Sequence, residues 1–150
     1  MSFKPYDFQA LRELALSKRI FGRLTIEHQL LSESSPVESE CVNEFLKRFG
    51  FTGSHADLHQ INRKEAAQQA VLVLNRDLAY GVEVMTKPEA QQIASSFLNC
   101  FERPTVRYFT NGERIGNNWA GNPISDSTFD QGIIALNDEA IGILWAQDED

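Results

Sequence analysis

Apolar positions in the first third of the chain recur at helical spacing. Phe8, Leu11, Leu14 and Ala15 share one helical face, and Asp7 before them is a candidate cap. The pattern predicts a first helix ending near Gly22. The run from Leu24 to Leu31 fits either a short helix or a strand, and Ser32 to Ser35 is a polar break. The clearest local signal follows it. Ser35 is placed as an N-cap, Pro36 as the first helical residue and Glu38 as the partner that closes a capping box. Val37, Cys41, Phe45 and Phe49, with Val42 and Leu46, form the apolar stripe of a helix over 36–49. Gly50 then supplies the left-handed residue that ends it, and Phe51 the apolar contact that follows.

Asn62 and Glu65 repeat the cap-box spacing ahead of Ala66, Ala67 and Ala70, which predicts a helix over roughly 55–69. The period then changes. Val71 to Leu74 and Tyr80 to Met85 read as two strands of a hairpin, turned at Asn75-Arg76-Asp77. Thr86, Pro88 and Glu89 open another capped helix, with Ile93, Ala94, Phe97, Leu98 and Phe101 inward and Pro104 beyond its end. Thr105 to Thr110 alternates as a strand, and Asn111-Gly112 reads as a two-residue hairpin turn. Gly116 to Asp126 reads as a surface loop. Two further strands, Gly132 to Leu136 and Ala140 to Trp145, are joined by Asn137-Asp138-Glu139. The sum is α+β: a helical N-terminal half packed on a mainly antiparallel β-sheet formed by the C-terminal half. Residues 1–150 suit a single domain, and no internal repeat or low-complexity tract interrupts them.

Composition adds a compartment. No apolar run approaches the ~20 residues that span a bilayer. The N-terminus shows no apolar segment or cleavage site of a secretory signal. Cys41 and Cys100 belong to no C-x-x-C pair, so free thiols in a cytoplasmic protein are expected.

Candidate chemistry is thin. His55 and His59 would share one helix face, as zinc ligands do, but neither a H-E-x-x-H motif nor a third ligand is nearby. G-x-S-x-G, the P-loop and G-x-G-x-x-G are all missing. Asp126 and Asp130 could pair as acid and base only if buried, and their Asn/Ser/Pro loop argues for solvent. The expectation is a protein without enzymatic activity, cofactor or metal.

Charge changes the picture more. The chain holds 14 Lys+Arg and 21 Asp+Glu, a net −7. Arg114 is the last base, and the seven acids after it (Asp126, Asp130, Asp138, Glu139, Asp148, Glu149, Asp150) carry the whole imbalance. An acidic chain is a poor match for nucleic acid or an anionic membrane, so neither is an expected partner. Trp119, Phe129 and Trp145 lie in the same segment. Aromatic anchors within a one-signed field compose a binding face for a basic protein.

In size, acidity and lack of catalytic motifs, the chain resembles the immunity proteins of bacterial polymorphic-toxin and contact-dependent growth inhibition systems. That resemblance implies a cytosolic inhibitor that binds and neutralises a basic protein toxin, most plausibly a nuclease. The residues expected to meet it are Trp119, Asp126, Phe129, Asp130, Asp138, Glu139, Trp145, Asp148 and Glu149. Two alternatives stay open. One is a small enzyme or ligand-binding protein with its site in the loop Gly116–Asp130. The other is an acidic DNA mimic, although mimicry favours acids spread along one face. Oligomeric state is not legible in the sequence.

Overall fold

The computed structural model describes residues 3–32, 37–115 and 118–149. Helix α1 (Pro5–Lys18) leads into strand β1 (Arg23–Leu30), and α2 (Glu38–Arg48) follows. A 3₁₀ turn (His55–Asp57), β2 (His59–Ile61), α3 (Arg63–Asn75) and α4 (Lys87–Cys100) come next. The last third supplies β3 (Arg107–Thr110), β4 (Gly112–Ile115), β5 (Asn118–Gly121), β6 (Phe129–Leu136) and β7 (Ala140–Asp148). Five strands form one antiparallel sheet in the order β1-β7-β6-β3-β2, and β4 and β5 pair as a separate ribbon. The fold is α+β, as its hydrophobic pattern predicts.

Helices cover both faces of the sheet. On one face α1, α3 and α4 bury Phe8, Ala70, Leu74 and Phe97 against Ile26, Ile133, Ala135 and Leu144. On the other, Val42, Phe45 and Leu46 of α2, with Phe51 and Ile124, cover Phe109, Ile134, Ile143 and Trp145. Strands buried on both sides need apolar residues at every position, which is why β6 and β7 read as continuous apolar runs. Strand β1 lies at an edge and settles the Leu24–Leu31 ambiguity. Leu24 and Ile26 are buried, and Arg23, Thr25 and Glu27 between them are not.

Two capping boxes are present as expected. Asn62 and Glu65 exchange side chain-to-backbone hydrogen bonds at the start of α3, and Thr86 and Glu89 do so at α4. Gly50 has φ +83°, and the N–H of Phe51 reaches back to the carbonyl of Leu46 at 2.9 Å, closing α2 as expected. Other boundaries differ from the sequence reading. Asp7 lies in the first turn of α1, behind Pro5, and Leu14 is exposed. The Ser35 cap and Pro36 lie outside the described residues. Helix α2 starts at Glu38, Val37 is exposed, and the Glu38 carboxylate turns to Arg107 and His55 instead of closing a box.

The largest correction concerns Val71 to Leu74. These residues continue α3 to Asn75. Ala66, Ala70, Val73 and Leu74 repeat at i, i+4, i+7 and i+8, and burial on that stripe outweighs the β preference of two valines. Of the expected hairpin only a single bridge, Arg76 to Glu83, remains. The helix expected over 55–69 is instead the 3₁₀ turn, β2 and the start of α3, so His55 and His59 do not share a helix face. Asn111-Gly112 is not a hairpin turn either. It carries β3 into β4, which pairs only with β5.

Gly132 shows why a glycine sits mid-strand. It lies opposite Trp145, and a Cβ there would come within 2.2 Å of the Leu144 carbonyl and 2.7 Å of the indole ring. Among the described residues, no helix is long and apolar enough to cross a membrane.

Candidate functional site

The antiparallel register brings Phe129 opposite Asp148 and Asp130 opposite Gln147, where β6 begins and β7 ends. Because side chains alternate, Asp130 and Asp148 point to opposite faces of the sheet. Each organises one side of the same end.

Asp148 pairs with Arg19, and both side chains are buried. The Arg19 guanidinium makes five hydrogen bonds. Its Nε donates to the Val73 carbonyl at 2.7 Å. Nη1 donates to the Phe21 carbonyl and Asp148, and Nη2 to the Arg76 carbonyl and Asp148. Asp148 Oδ2 also accepts the Leu78 N–H at 2.8 Å. One ion pair therefore ties together the end of α1, the end of α3, the segment after it and the last strand. The two loops it joins expose Ile20, Phe21, Tyr80 and Val82.

Asp130 is buried on the other face without a cation. Its Oδ1 accepts the Trp145 indole N–H at 2.7 Å, and its Oδ2 accepts the Ile124 N–H at 3.0 Å and the Ser125 hydroxyl at 2.5 Å. Asn111 adds to this knot. Its Nδ2 donates to the carbonyls of Asp130 at 2.8 Å and Asn122 at 2.9 Å. The β4–β5 ribbon and the chain from Asn122 to Ser125 are thereby anchored to the sheet.

Between these anchors runs a groove of about 990 Å³. Its lining includes Arg76, Asp77 and Leu78 from the segment at the end of α3, Trp119 from β5, Asp126, Phe129 and Asn111. Asp126 is exposed and lacks an ion-pair partner among the described residues. Arg76 Nη1 donates to the Gly81 carbonyl, which holds it against its own loop. Asp77 Oδ1 accepts the N–H groups of Ala79 and Tyr80, so it shapes the loop. The Oδ1 of buried Asn111 has no hydrogen-bond partner among the described residues.

The expected binding residues separate into three places. Trp119, Asp126 and Phe129 meet in the groove, and Glu149 sits beside it, accepting from the backbone and hydroxyl of the groove residue Thr128. The Thr128 hydroxyl holds the Glu149 carboxyl below its usual range. Trp145, Asp130 and Asp148 are interior, because the indole is core and both carboxylates are consumed by internal donors. The solvated setting expected for Asp130 is thus corrected: it is buried within the knot that Asn111, Ile124, Ser125 and Trp145 make around it. Asp138 and Glu139 occupy the turn at the far end of β6, about 25 Å away along an eight-residue strand. Both pair there with Arg103, whose hydrogen bond holds the Asp138 carboxyl below its usual range. At a screening length of about 8 Å the two ends do not share one field.

Comparison with protein-family models, with curated proteins and with solved structures gives no match for this chain.

Arg19, Arg76 and Asn111 escaped the sequence reading. An arginine beside a helix end looks solvated, and Asn111 before Gly112 carries a turn signature. Elsewhere, His55 Nε2 lies 2.7 Å from Glu38, which also accepts from Arg107, fastening α2 to β3. Among the described residues no group of three or more His, Cys, Asp or Glu is placed to hold a metal ion.

Both cysteines are free thiols: Cys41 is buried on α2 and Cys100 half-buried on α4. Burial first, and Asp7 second, push the Cys100 thiol up to about 11. At pH 8 about one such thiol in a thousand is ionised, against about one in ten at the ordinary 9.0. Alkylation of Cys100 in the native protein is therefore expected at about a hundredth of the unfolded rate, rising with pH. Mass spectrometry of a timed iodoacetamide reaction checks this, and equal rates in native and denatured protein would refute it.

Proposed function

We propose that this chain is a small acidic inhibitor of the immunity type, which binds and neutralises a basic protein toxin, most plausibly a nuclease. The observation that carries the reading is the groove, which gathers Trp119, Phe129 and an unpaired Asp126 on a frame fixed from both sides of the sheet. Partly exposed aromatics beside unpaired charge are the usual anchors of a protein interface. Exposed Ile20, Phe21, Tyr80 and Val82 on the adjoining loops extend the apolar surface. The acidic balance of the chain favours encounter with a cationic partner.

The test uses the basic toxin domain encoded beside this chain's gene. Host growth and toxin activity are measured with and without the protein, and the complex is isolated by gel filtration. The wild type should restore growth and co-elute. Trp119→Ala should raise the dissociation rate about thirtyfold, the scale of an aromatic hot spot. Neutralising Asp126 and Glu149 should slow association and flatten its salt dependence, whereas neutralising Glu40 and Glu44 on α2 should change neither. A toxin that stays fully active in excess inhibitor overturns the reading.

The groove's volume favours a second reading, a ligand-binding protein or small enzyme that uses the same walls, since ligand sites commonly enclose about 300–1,000 Å³. A small molecule that binds there while the toxin does not would select it.

A further inference from the structure

We propose that the groove is a receptor for a single arginine side chain of the protein partner. The inference rests on the inhibitor reading and names the group that the groove takes. Two acceptors of the lining are unengaged. The Asp126 carboxylate has no ion-pair partner, and Asn111, only 2 % exposed, has a free Oδ1 among the described residues. Burying that oxygen unpaired is costly, so a local shift of its cover that admits a donor is rewarded. The neighbouring acids are already committed: Asp130 to Trp145, Ile124 and Ser125, and Asp77 to Ala79 and Tyr80.

Guanidinium matches what remains. It carries five donors and no acceptor, so one group can serve both acceptors. Its planar face stacks on an aromatic ring, and Trp119 and Phe129 supply two in the same lining. A sugar brings hydroxyls but no positive charge to set against the Asp126 carboxylate. Lysine brings the charge but neither the plane nor the fork. Arg76, the one cation among the described lining residues, has Nη1 held by the Gly81 carbonyl. The carboxylates of Asp77, Asp126 and Asp130 in the same lining outnumber it.

The two tryptophans allow a direct readout, because Trp145 is fully buried and Trp119 is not. Intrinsic fluorescence is followed while the full chain is titrated with N-acetyl-arginine amide, N-acetyl-lysine amide or methyl glucoside. The expected result is a saturable change with arginine in the millimolar range, as suits so small a ligand. Lysine should bind about threefold or more weakly, and the glucoside should give no change. Trp119→Phe should abolish the fluorescence signal, since only the buried indole remains. Asp126→Asn should weaken arginine about fivefold by chemical-shift titration, with circular dichroism unchanged. No response to arginine up to tens of millimolar, an equal response to lysine or glucoside, or an unaltered affinity in Asp126→Asn each overturns the proposal. Arginine binding without any toxin complex leaves the receptor standing and removes the inhibitor reading. A toxin complex indifferent to Trp119→Ala and Asp126→Asn does the reverse.

Discussion

Arg19→Met is expected to lower the unfolding free energy by about 3–5 kcal/mol, because it leaves a buried charge without its partner. Asp148 would keep the Leu78 N–H and lose the guanidinium. The carbonyls of Val73, Phe21 and Arg76 would lose their donors inside a site that excludes water. For a chain of 150 residues the melting midpoint should fall by roughly 6–20 °C. Lysine is no remedy, since it cannot reach three carbonyls and a carboxylate from one planar group. Replacing both partners, Arg19→Met with Asp148→Leu, should recover only part of the loss. It removes the stranded carboxylate but not the stranded carbonyls. Thermal unfolding followed by circular dichroism measures all three variants. A single variant within 1 kcal/mol of wild type would show that the pair adds nothing net. The pair also fixes the Arg76–Leu78 stretch of the groove's lining, so on the proposed inhibitor reading the double variant should bind the toxin more weakly than its remaining stability implies.

The helical signals that held are the local ones. The Asn62 and Thr86 boxes, the Gly50 terminus and the apolar stripes of α2 and α4 all lie within a turn or two of the residues they govern. The β6–β7 hairpin was legible for a related reason, since a strand buried on both faces leaves a continuous apolar run. What failed was decided at long range. Val71 to Leu74 has the composition of a strand, but the last two turns of α3 have α4 and the sheet to pack against, and that contact is invisible in a window of four residues. Asn111-Gly112 has the letters of a tight turn. Its amide instead finds the Asp130 carbonyl 19 positions later.

The site divides along the same line. Acidity was legible as a count, and the chain was read as one field because the acids are adjacent in sequence. Folding sorts them by what each meets. Asp148 finds Arg19, 129 positions away, and Asp130 finds an indole across the hairpin. Asp138 and Glu139 find Arg103. Among the described acids of the last 36 residues, the exposed ones without a cation are Asp126 and Glu149, both at the groove end, beside aromatics that the sequence had already marked. Trp119 stays partly exposed because its setting of Asn and Gly offers little core, whereas Trp145 stands within a strand covered from both sides.

Trp145→Ala should cost about 3–5 kcal/mol, the scale for emptying a large buried aromatic site. The indole fills the space opposite Gly132 and meets Phe51 edge-on, with ring centroids 6.3 Å apart. Trp145→Phe separates packing from polarity. It keeps much of the ring and removes the N–H, so Asp130 Oδ1 loses its 2.7 Å donor at a cost of about 1–3 kcal/mol. Asp130→Ala should fall between these two, because the Ile124 N–H and the Trp145 N–H are then stranded while the core packing survives. The combination Trp145→Phe with Asp130→Ala should cost less than the sum of its parts, since the second change removes a bond that the first has already broken. Denaturant unfolding of the four proteins measures that coupling. Strict additivity would mean that the indole and the carboxylate act independently. The knot also anchors the Asn122–Ser125 stretch and, through Asn111, the ribbon that carries Trp119. Asp130→Ala should therefore loosen the groove's outer wall well below the unfolding temperature, and amide exchange across β4 and β5 should accelerate before that of β6 and β7.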